Sequence, residues 1–350
     1  DLLTLYIFFE GMVFLPYALF AHRGTDKAVR GANITALIGV VSGLSLLAGI
    51  FLLYTFTGNL EIKPMAEKIN TVMPGVFKYL LAGLMIIGFG GKAGIFFEHI
   101  WSPLVYPESP EPTAALSSGA MIKAGAYGIF RTVNMIFVPE NIDLLGQWLT
   151  LANIGYVVIW IGVITMFFAV CSALISSNSK RMLAYHSISQ MGYIIMGIGC
   201  AAYMGSEGAM GLAGAIYHMV NHSLFKACLL LAVGAVYFRT NELDMYKLGG
   251  LWRNMPLVAI AMFIAVCGIS GIPGFNGFAS KTVLHHSILE AYQHSVHFSK
   301  THTPDFGLRL AEIIFVITAG GTFASNTKLF ILTFLRKRPE KYQEVKSAPW

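Results

Sequence analysis

Seven ionisable side chains stand inside apolar stretches of this 350-residue chain: Glu10, Lys92, Lys123, His218, His222, Lys226 and Lys281. His218, His222 and Lys226 recur every four residues. On an α-helix that spacing sets them along one stripe, about 6 Å apart along the axis per step. The chemistry that suits such a row is proton transfer. A desolvated amine gives up its proton more readily than one in water, a nearby carboxylate restores the charged form, and an imidazole can carry a proton on either nitrogen. A Lys at the centre of a membrane helix costs about 2.5–3.5 kcal/mol on the lenient insertion scale, so four of them cost about 10–14 kcal/mol before any pairing. Charges kept at that cost usually face a wet interior and mark ion or proton paths. The competing structural reading is that each lysine snorkels to, or plugs, a helix end; Lys328, in "SNTKLF" near a segment end, fits it best. His218 and His222, at i and i+4, also have the spacing of a zinc pair, but no carboxylate or third His or Cys ligand stands nearby. No metal site is expected.

Soluble-enzyme motifs are missing. "GFGGKAG" (88–94) invites a phosphate-loop reading, but Ala93 follows the lysine and Ile86 stands where the first glycine should be. There is no GxGxxG after a strand pattern, no HExxH and no GxSxG. The chain is therefore expected to bind no cofactor, and any redox chemistry would belong to partners. The four cysteines lie in apolar segments without a CxxC pair. They are expected to be small buried hydrophobes without disulfide, zinc or iron–sulfur ligation.

The elements that must position these groups are membrane helices. Hydrophobic residues make up 55% of the chain and charged residues 12%, with mean hydropathy +0.64; a soluble domain usually carries about twice that charged fraction. "GANITALIGVVSGLSLLAGIFLLYTFTG" (31–58) holds no charge at all, and a helix of about 20 apolar residues spans a bilayer core. Nine segments of this kind predict an all-α integral membrane protein: 1–21, 32–57, 76–100, 114–138, 153–177, 186–204, 209–238, 256–294 and 311–335. Their unbroken apolar length excludes β-barrel strands. Segments 209–238 and 256–294 are too long for one straight span and are expected to be broken. The glycines around Lys92, and "CGISGIPGFNGFASK" (267–281) with Pro273 before Lys281, favour broken helices at the ion path; close helix packing is the other reading of those glycines. "GFGGK" and "GFNGFASK" resemble each other 189 residues apart, a hint of internal duplication.

Counting loops on alternate sides, 22–31, 101–113, 178–185, 239–255 and 336–350 hold thirteen Lys and Arg. The loops 58–75, 132–152, 205–208 and 295–310 hold four. The positive-inside rule assigns the first set to the cytoplasm. The net charge of +6 thus speaks for membrane orientation and not for nucleic acid. The opening "DLLTLYIFFEGMVFLPYALFA" lacks a basic n-region and a cleavage site and reads as a span rather than a signal peptide. The abrupt ends, with "KYQEVKSAPW" last, read as those of a fragment.

The motifs "FFEGM", "GFGGKAG…HIW", "SSGAMIKAGAYGIFR", "HSISQMGYIIMG", "NHSLFKACLLLAVG" and "GIPGFNGFASK" occur in this order across nearly the whole chain. In them the sequence resembles the antiporter-like subunits shared by respiratory complex I (NADH:quinone oxidoreductase), Mrp-type cation/proton antiporters and energy-converting membrane hydrogenases. The resemblance implies a fold of about fourteen helices with two inverted five-helix repeats and broken helices, of which this chain would be a fragment of about nine. Residues 1–138 would close the first repeat (family helices 5–8), 139–335 would form the second (helices 9–13), and 336–350 a cytoplasmic loop. By resemblance Glu10 is the helix 5 glutamate, Lys92 its helix 7 partner and Lys123 the connecting group on helix 8. His218, His222 and Lys226 lie on helix 11, and Lys281 is the terminal lysine of helix 12. The chain departs from the family after helix 7, where "HIWSPLVYPESPEP" replaces a pattern close to HVWLPDAHPEAPTP and Glu98 stands where a proline or small apolar residue is common.

The implied function is proton translocation within a multi-subunit membrane complex, coupled to redox partners carrying iron–sulfur clusters. The expected location is a bacterial or archaeal cytoplasmic membrane. Alternatives are part of an Mrp-type Na⁺/H⁺ antiporter driven by an ion gradient, a stand-alone antiporter, and a structural anchor that conducts nothing. A quinone-binding role has no specific feature in its favour.

Overall fold

The computed structural model describes residues 1–139, 145–298 and 305–343. The end of the 336–350 loop and parts of the loops 132–152 and 295–310 fall outside the described residues. The described chain is helical, with no strand and one isolated bridge, Asn178 to Asp244. Six of its helices are long and apolar enough to cross a membrane. They lie in α1 (Leu2–Ala21), α2 (Asp26–Thr57), α4 (Gly75–Ala93), α8 (Leu145–Ile175), α10 (Ala209–Thr240) and the run that begins with α13 (Phe306–Phe330). Between them stand α3 (Ala66–Val72), α5 (Trp101–Glu108), α6 (Glu111–Leu116), α7 (Ile122–Arg131), α9 (Ser179–Met204), α11 (Pro256–Ser270) and α12 (Asn276–Phe298). Large apolar side chains such as Phe8, Leu15, Leu37, Leu44 and Ile317 point outward, while Lys92, Lys180, His218 and Lys226 are buried. That inside-out distribution suits a hydrocarbon surround. The protein is an integral membrane protein.

Several segments differ from the sequence reading, each for a local reason. Segment 76–100 is not one helix: α4 stops at Ala93, and Gly94 takes a left-handed conformation (φ 71°). Segment 114–138 contains two π-helical turns, Ser117–Met121 and Thr132–Ile136. Segment 256–294 breaks as expected, ending α11 at Ser270 and resuming at Asn276. Segment 209–238, also expected to be broken, is a continuous helix of 32 residues, Ala209–Thr240. It has no proline, and its glycines serve packing: a Cβ on Gly211 would meet the Gly197 carbonyl, and one on Gly234 the Glu111 side chain. At about 1.5 Å per residue it is about 48 Å long and extends beyond the bilayer core at its ends. Cys200 and Cys267 are buried, but Cys171 is exposed and Cys228 half-buried; all four are free thiols.

The described parts of the two sets of loops gather at opposite ends of the bundle. At one end Arg23 and Lys180 both reach Glu111, Ser179 N–H donates to the Leu243 carbonyl, and Arg336 donates to the Tyr246 carbonyl at 2.7 Å. At the other end the N–H of Met65 donates to the Ile136 carbonyl, Thr150 meets Asn70, and His294 lies 3.6 Å from Glu207. Helices α8 and α9 run antiparallel in backbone contact through glycines. A Cβ at Gly162 would meet the Met196 N–H and the Gly192 carbonyl, and one at Gly199 the Ile159 N–H and the Gly155 carbonyl. Small residues let helix backbones approach where no water drives association.

Candidate functional site

His218, His222 and Lys226 on α10 are all fully buried, so the stripe read from their spacing faces the interior. The His218 and His222 rings lie 6.3 Å apart and nearly parallel. His218 is held between two helices, with Nδ1 2.9 Å from Ser280 Oγ on α12 and Nε2 3.0 Å from Gln190 Oε1 on α9. Neither His222 nitrogen nor Lys226 Nζ hydrogen-bonds another protein atom among the described residues. A buried polar group left without a partner is costly, and such a group asks for a reason other than packing.

The remaining lysines share one local chemistry. Each amine meets a carbonyl that an irregular helix has left without its ordinary partner. Lys281 Nζ donates to the Ile269 carbonyl at 2.7 Å, an acceptor at the C-terminal end of α11, where the chain turns away through Gly271 (φ 77°), Pro273 and Gly274 (φ 90°). Asn221 and Asn276 pair across this break and hold it against α10. Lys92 donates to the Met12 carbonyl of α1. Pro16 sits four residues on and has no N–H to offer Met12. Lys123 donates to the Ser118 carbonyl; the π turn sends the Ile122 N–H to Ser117 instead of Ser118. The end-of-segment lysine, Lys328, donates to the carbonyls of Leu174 and Ser176 where α8 ends.

Glu10 and Lys92 are close neighbours without an ion pair among the described residues. The Lys92 amine lies over the Phe9 ring at 5.8 Å and binds Met12, either side of Glu10 in sequence. The Glu10 carboxyl packs on Gly43 of α2, and its Oε1 is buried without a hydrogen-bond partner. Gly88 and Gly91 bring α4 against Leu46 and Ser42 of α2, so these glycines pack and Gly94 breaks. Both readings of the glycine cluster apply, at different residues.

Polar groups that the sequence reading did not single out complete the interior. Gln190 and Ser280 orient His218, and His186 lies fully buried with Nε2 2.8 Å from Ser325 Oγ and 3.3 Å from Asn326 Nδ2. His186 and Gln190 stand four apart in the quoted motif "HSISQMGY", a spacing that was open to the same one-face argument used for α10.

A charged clamp ties the loop after α5 to the bundle. Lys180, buried in the first turn of α9, donates to Glu111 Oε1 at 2.6 Å and to the Ser109 carbonyl at 3.2 Å. Arg23 reaches the same Glu111 oxygen at 3.1 Å, and Tyr237 lies beneath both cations. A cation at a helix N-terminus opposes the helix dipole, and Glu111 offsets it. Burial pushes the Glu111 carboxyl up, but the Lys180 hydrogen bond and charge, with Arg23, outweigh it and hold the group below its ordinary range. A carboxyl lowered in the folded state contributes stability that is present at neutral pH and lost only as pH falls through the lowered value. Glu111→Gln is therefore expected to destabilise the protein by about 2–4 kcal/mol at neutral pH, because it leaves Lys180 buried without its counter-charge. In thermal melts against pH, the gap between wild type and variant should close only on acidification below the normal carboxylate range.

The fold and these interior groups define a helical integral membrane protein that holds lysines and histidines away from lipid beside two helix breaks. The chain belongs to the NADH:quinone oxidoreductase/Mrp antiporter transmembrane family, whose pattern matches residues 1–302. It is 34% identical over 284 residues to a Na(+)/H(+) antiporter subunit of Alkalihalophilus pseudofirmus, covering 81% of this chain and 54% of that protein. It is 31% identical over 318 residues to formate hydrogenlyase subunit 3 of Escherichia coli K12, covering 89% of this chain and 49% of that protein. Among solved structures it is similar to a chain of the Mrp complex from Dietzia sp. DQ12-45-1b, with TM-score 0.81, 26% identity and coverage of 97% and 58%. A chain of an archaeal membrane-bound sulfane sulfur reductase matches with TM-score 0.79, 25% identity and coverage of 98% and 53%. The chain spans about half the length of the curated relatives it matches.

Proposed function

We propose that this chain acts as the proton-translocating, antiporter-like subunit of a multi-subunit complex in a bacterial or archaeal cytoplasmic membrane. Glu10, Lys92, Lys123, His218, His222, Lys226 and Lys281 pass protons along the midplane. About nine spans cross the membrane, with residues 1–138 closing one inverted repeat, 139–335 forming the other and 336–350 in the cytoplasm. The observation that carries this reading is the state of His222 and Lys226, fully buried and without a protein partner for any side-chain nitrogen among the described residues. A structural anchor would have no use for them, since apolar residues of similar volume are as stable or more so in such places.

Likeness to formate hydrogenlyase subunit 3 supports coupling to redox partners, which we propose carry iron–sulfur clusters. Likeness to the Alkalihalophilus antiporter protein supports the second reading, Na⁺/H⁺ exchange driven by an ion gradient. Gentle-detergent purification with mass spectrometry of the co-purifying subunits separates the two. For translocation itself, the test is proton uptake by inverted membrane vesicles, followed with a pH-quenched dye. Lys92→Ala and Lys281→Ala are each expected to lose at least tenfold of the rate with the complex intact on a native gel. Full uptake by both variants would sink the proposal.

A further inference from the structure

One helical turn beyond Lys281 on α12 stands His285. Its Nε2 lies 2.8 Å from Glu312 Oε1 on α13, and the second Glu312 oxygen accepts from Arg309 Nη1 at 2.9 Å. Glu312 is 8% exposed as a residue, whereas the Arg309 side chain is 49% exposed. A buried carboxylate thus joins a half-buried imidazole to a cation that reaches the surroundings. On the inner side the Lys281 amine lies 5.2 Å over the Tyr193 ring. Tyr193 packs edge-on against Phe315 at 4.7 Å, and Phe315 stacks on His285 at 5.3 Å. Lys281 and His285 therefore share one aromatic wall. Their separation along the helix axis is about 6 Å, a span that a single bridging water is long enough to cover.

Helix packing alone does not call for these groups. Leu284, Ile288 and Ala291 already pack with Leu308, Ala311 and Phe315 in one apolar cluster that α12 and α13 share with α8 and α9. The cluster lies toward the end of the bundle where His294 meets Glu207 and Asp305 meets Tyr156. That end is opposite the Arg23–Glu111–Lys180 clamp.

We propose that His285 and Glu312 form the outlet by which a proton leaves Lys281 for the outer aqueous phase, with Arg309 as the positioning residue that holds the carboxylate. This rests on the proposed function above. The step balances as a pure proton transfer. An N–H bond of the Lys281 ammonium breaks, and the proton passes through a bridging water to His285 Nδ1, making the ring an imidazolium. The Nε2 proton moves to Glu312 Oε1, and the resulting carboxylic acid releases it to the outer water. Lys281 is left as the amine, Glu312 ionised and His285 neutral with its proton on Nδ1, and a turn of the ring restores the starting tautomer.

The test uses the complete complex in inverted membrane vesicles. His285→Ala is expected to lower proton uptake about tenfold, and added imidazole to restore most of it, as a small base occupying the vacated ring position. His285→Gln keeps a hydrogen bond to Glu312 but cannot relay, and is expected to be equally slow without rescue. Glu312→Gln should be slow with and without imidazole. Full uptake by His285→Gln or His285→Ala, in vesicles where Lys281→Ala is inactive, overturns the outlet and leaves the proposed function standing. A slow His285→Ala that imidazole does not restore also overturns it, since the ring is then only a strut. Full uptake by Lys281→Ala would remove the outlet, and full uptake by Lys92→Ala as well would remove the proposed function with it.

Discussion

Lys226→Met is expected to bring proton uptake down at least a hundredfold, to the leak of the membrane, while the purified complex melts no lower than wild type. The two halves of that result have the same cause. Lys226 is fully buried and its amine bonds no protein atom among the described residues. An unsatisfied buried polar group costs about 1–3 kcal/mol, so removing it without changing shape is neutral or stabilising. Methionine is unbranched, of similar length and apolar, and fits the same space. The proton path loses the step after His222, one turn earlier on the same face of α10. Dye quenching in inverted vesicles and a thermal melt of the same preparation read the two quantities. Retained uptake would favour the anchor reading, and a lower melting temperature would make Lys226 a structural residue.

Gly162→Val is expected to destabilise the bundle by about 3 kcal/mol or more and to strip assembled complex from the membrane, although residue 162 touches none of the proton-handling groups. Overpacking usually costs about 1–3 kcal/mol because side chains shift aside. Here the obstruction is backbone: the Met196 N–H, its Cα and the Gly192 carbonyl. Helix α9 would have to move as a body. It carries Gln190, which orients His218, and Lys180 of the clamp, so uptake should fail in whatever complex survives. Gly83→Ala is the control. A Cβ there meets nothing within 4 Å, and helix propensity should make that variant as stable as wild type or about 0.5–1 kcal/mol more so. Yield of intact complex and its melting temperature distinguish the two.

What could be read from the residue order was what depends on near neighbours. Apolar length made the chain a helical membrane protein. The four-residue spacing of His218, His222 and Lys226 put them on one face, and α10 does bury all three. Pro273 among glycines announced the break before Lys281. The same local reasoning misjudged 209–238, since length and glycine content do not say whether a helix bends or packs. It took neighbours on α9, α12 and the Glu111 turn to make those glycines contact points in a continuous α10.

The partners of the charged groups were decided in three dimensions. Gln190 and Ser280 reach His218 from 28 and 62 residues away, Glu111 reaches Lys180 across 69, and Glu312 reaches His285 across 27. Only tertiary packing selects among so many candidates. The carbonyls that receive Lys92 and Lys281 belong to both levels: Pro16 frees one and the α11 terminus exposes the other locally, but the approach of α1 to α4, and of α11 to α12, brings each to its lysine. A broken hydrogen-bond ladder can be foreseen from one stretch of chain, whereas the group that fills it comes from wherever the fold places a donor.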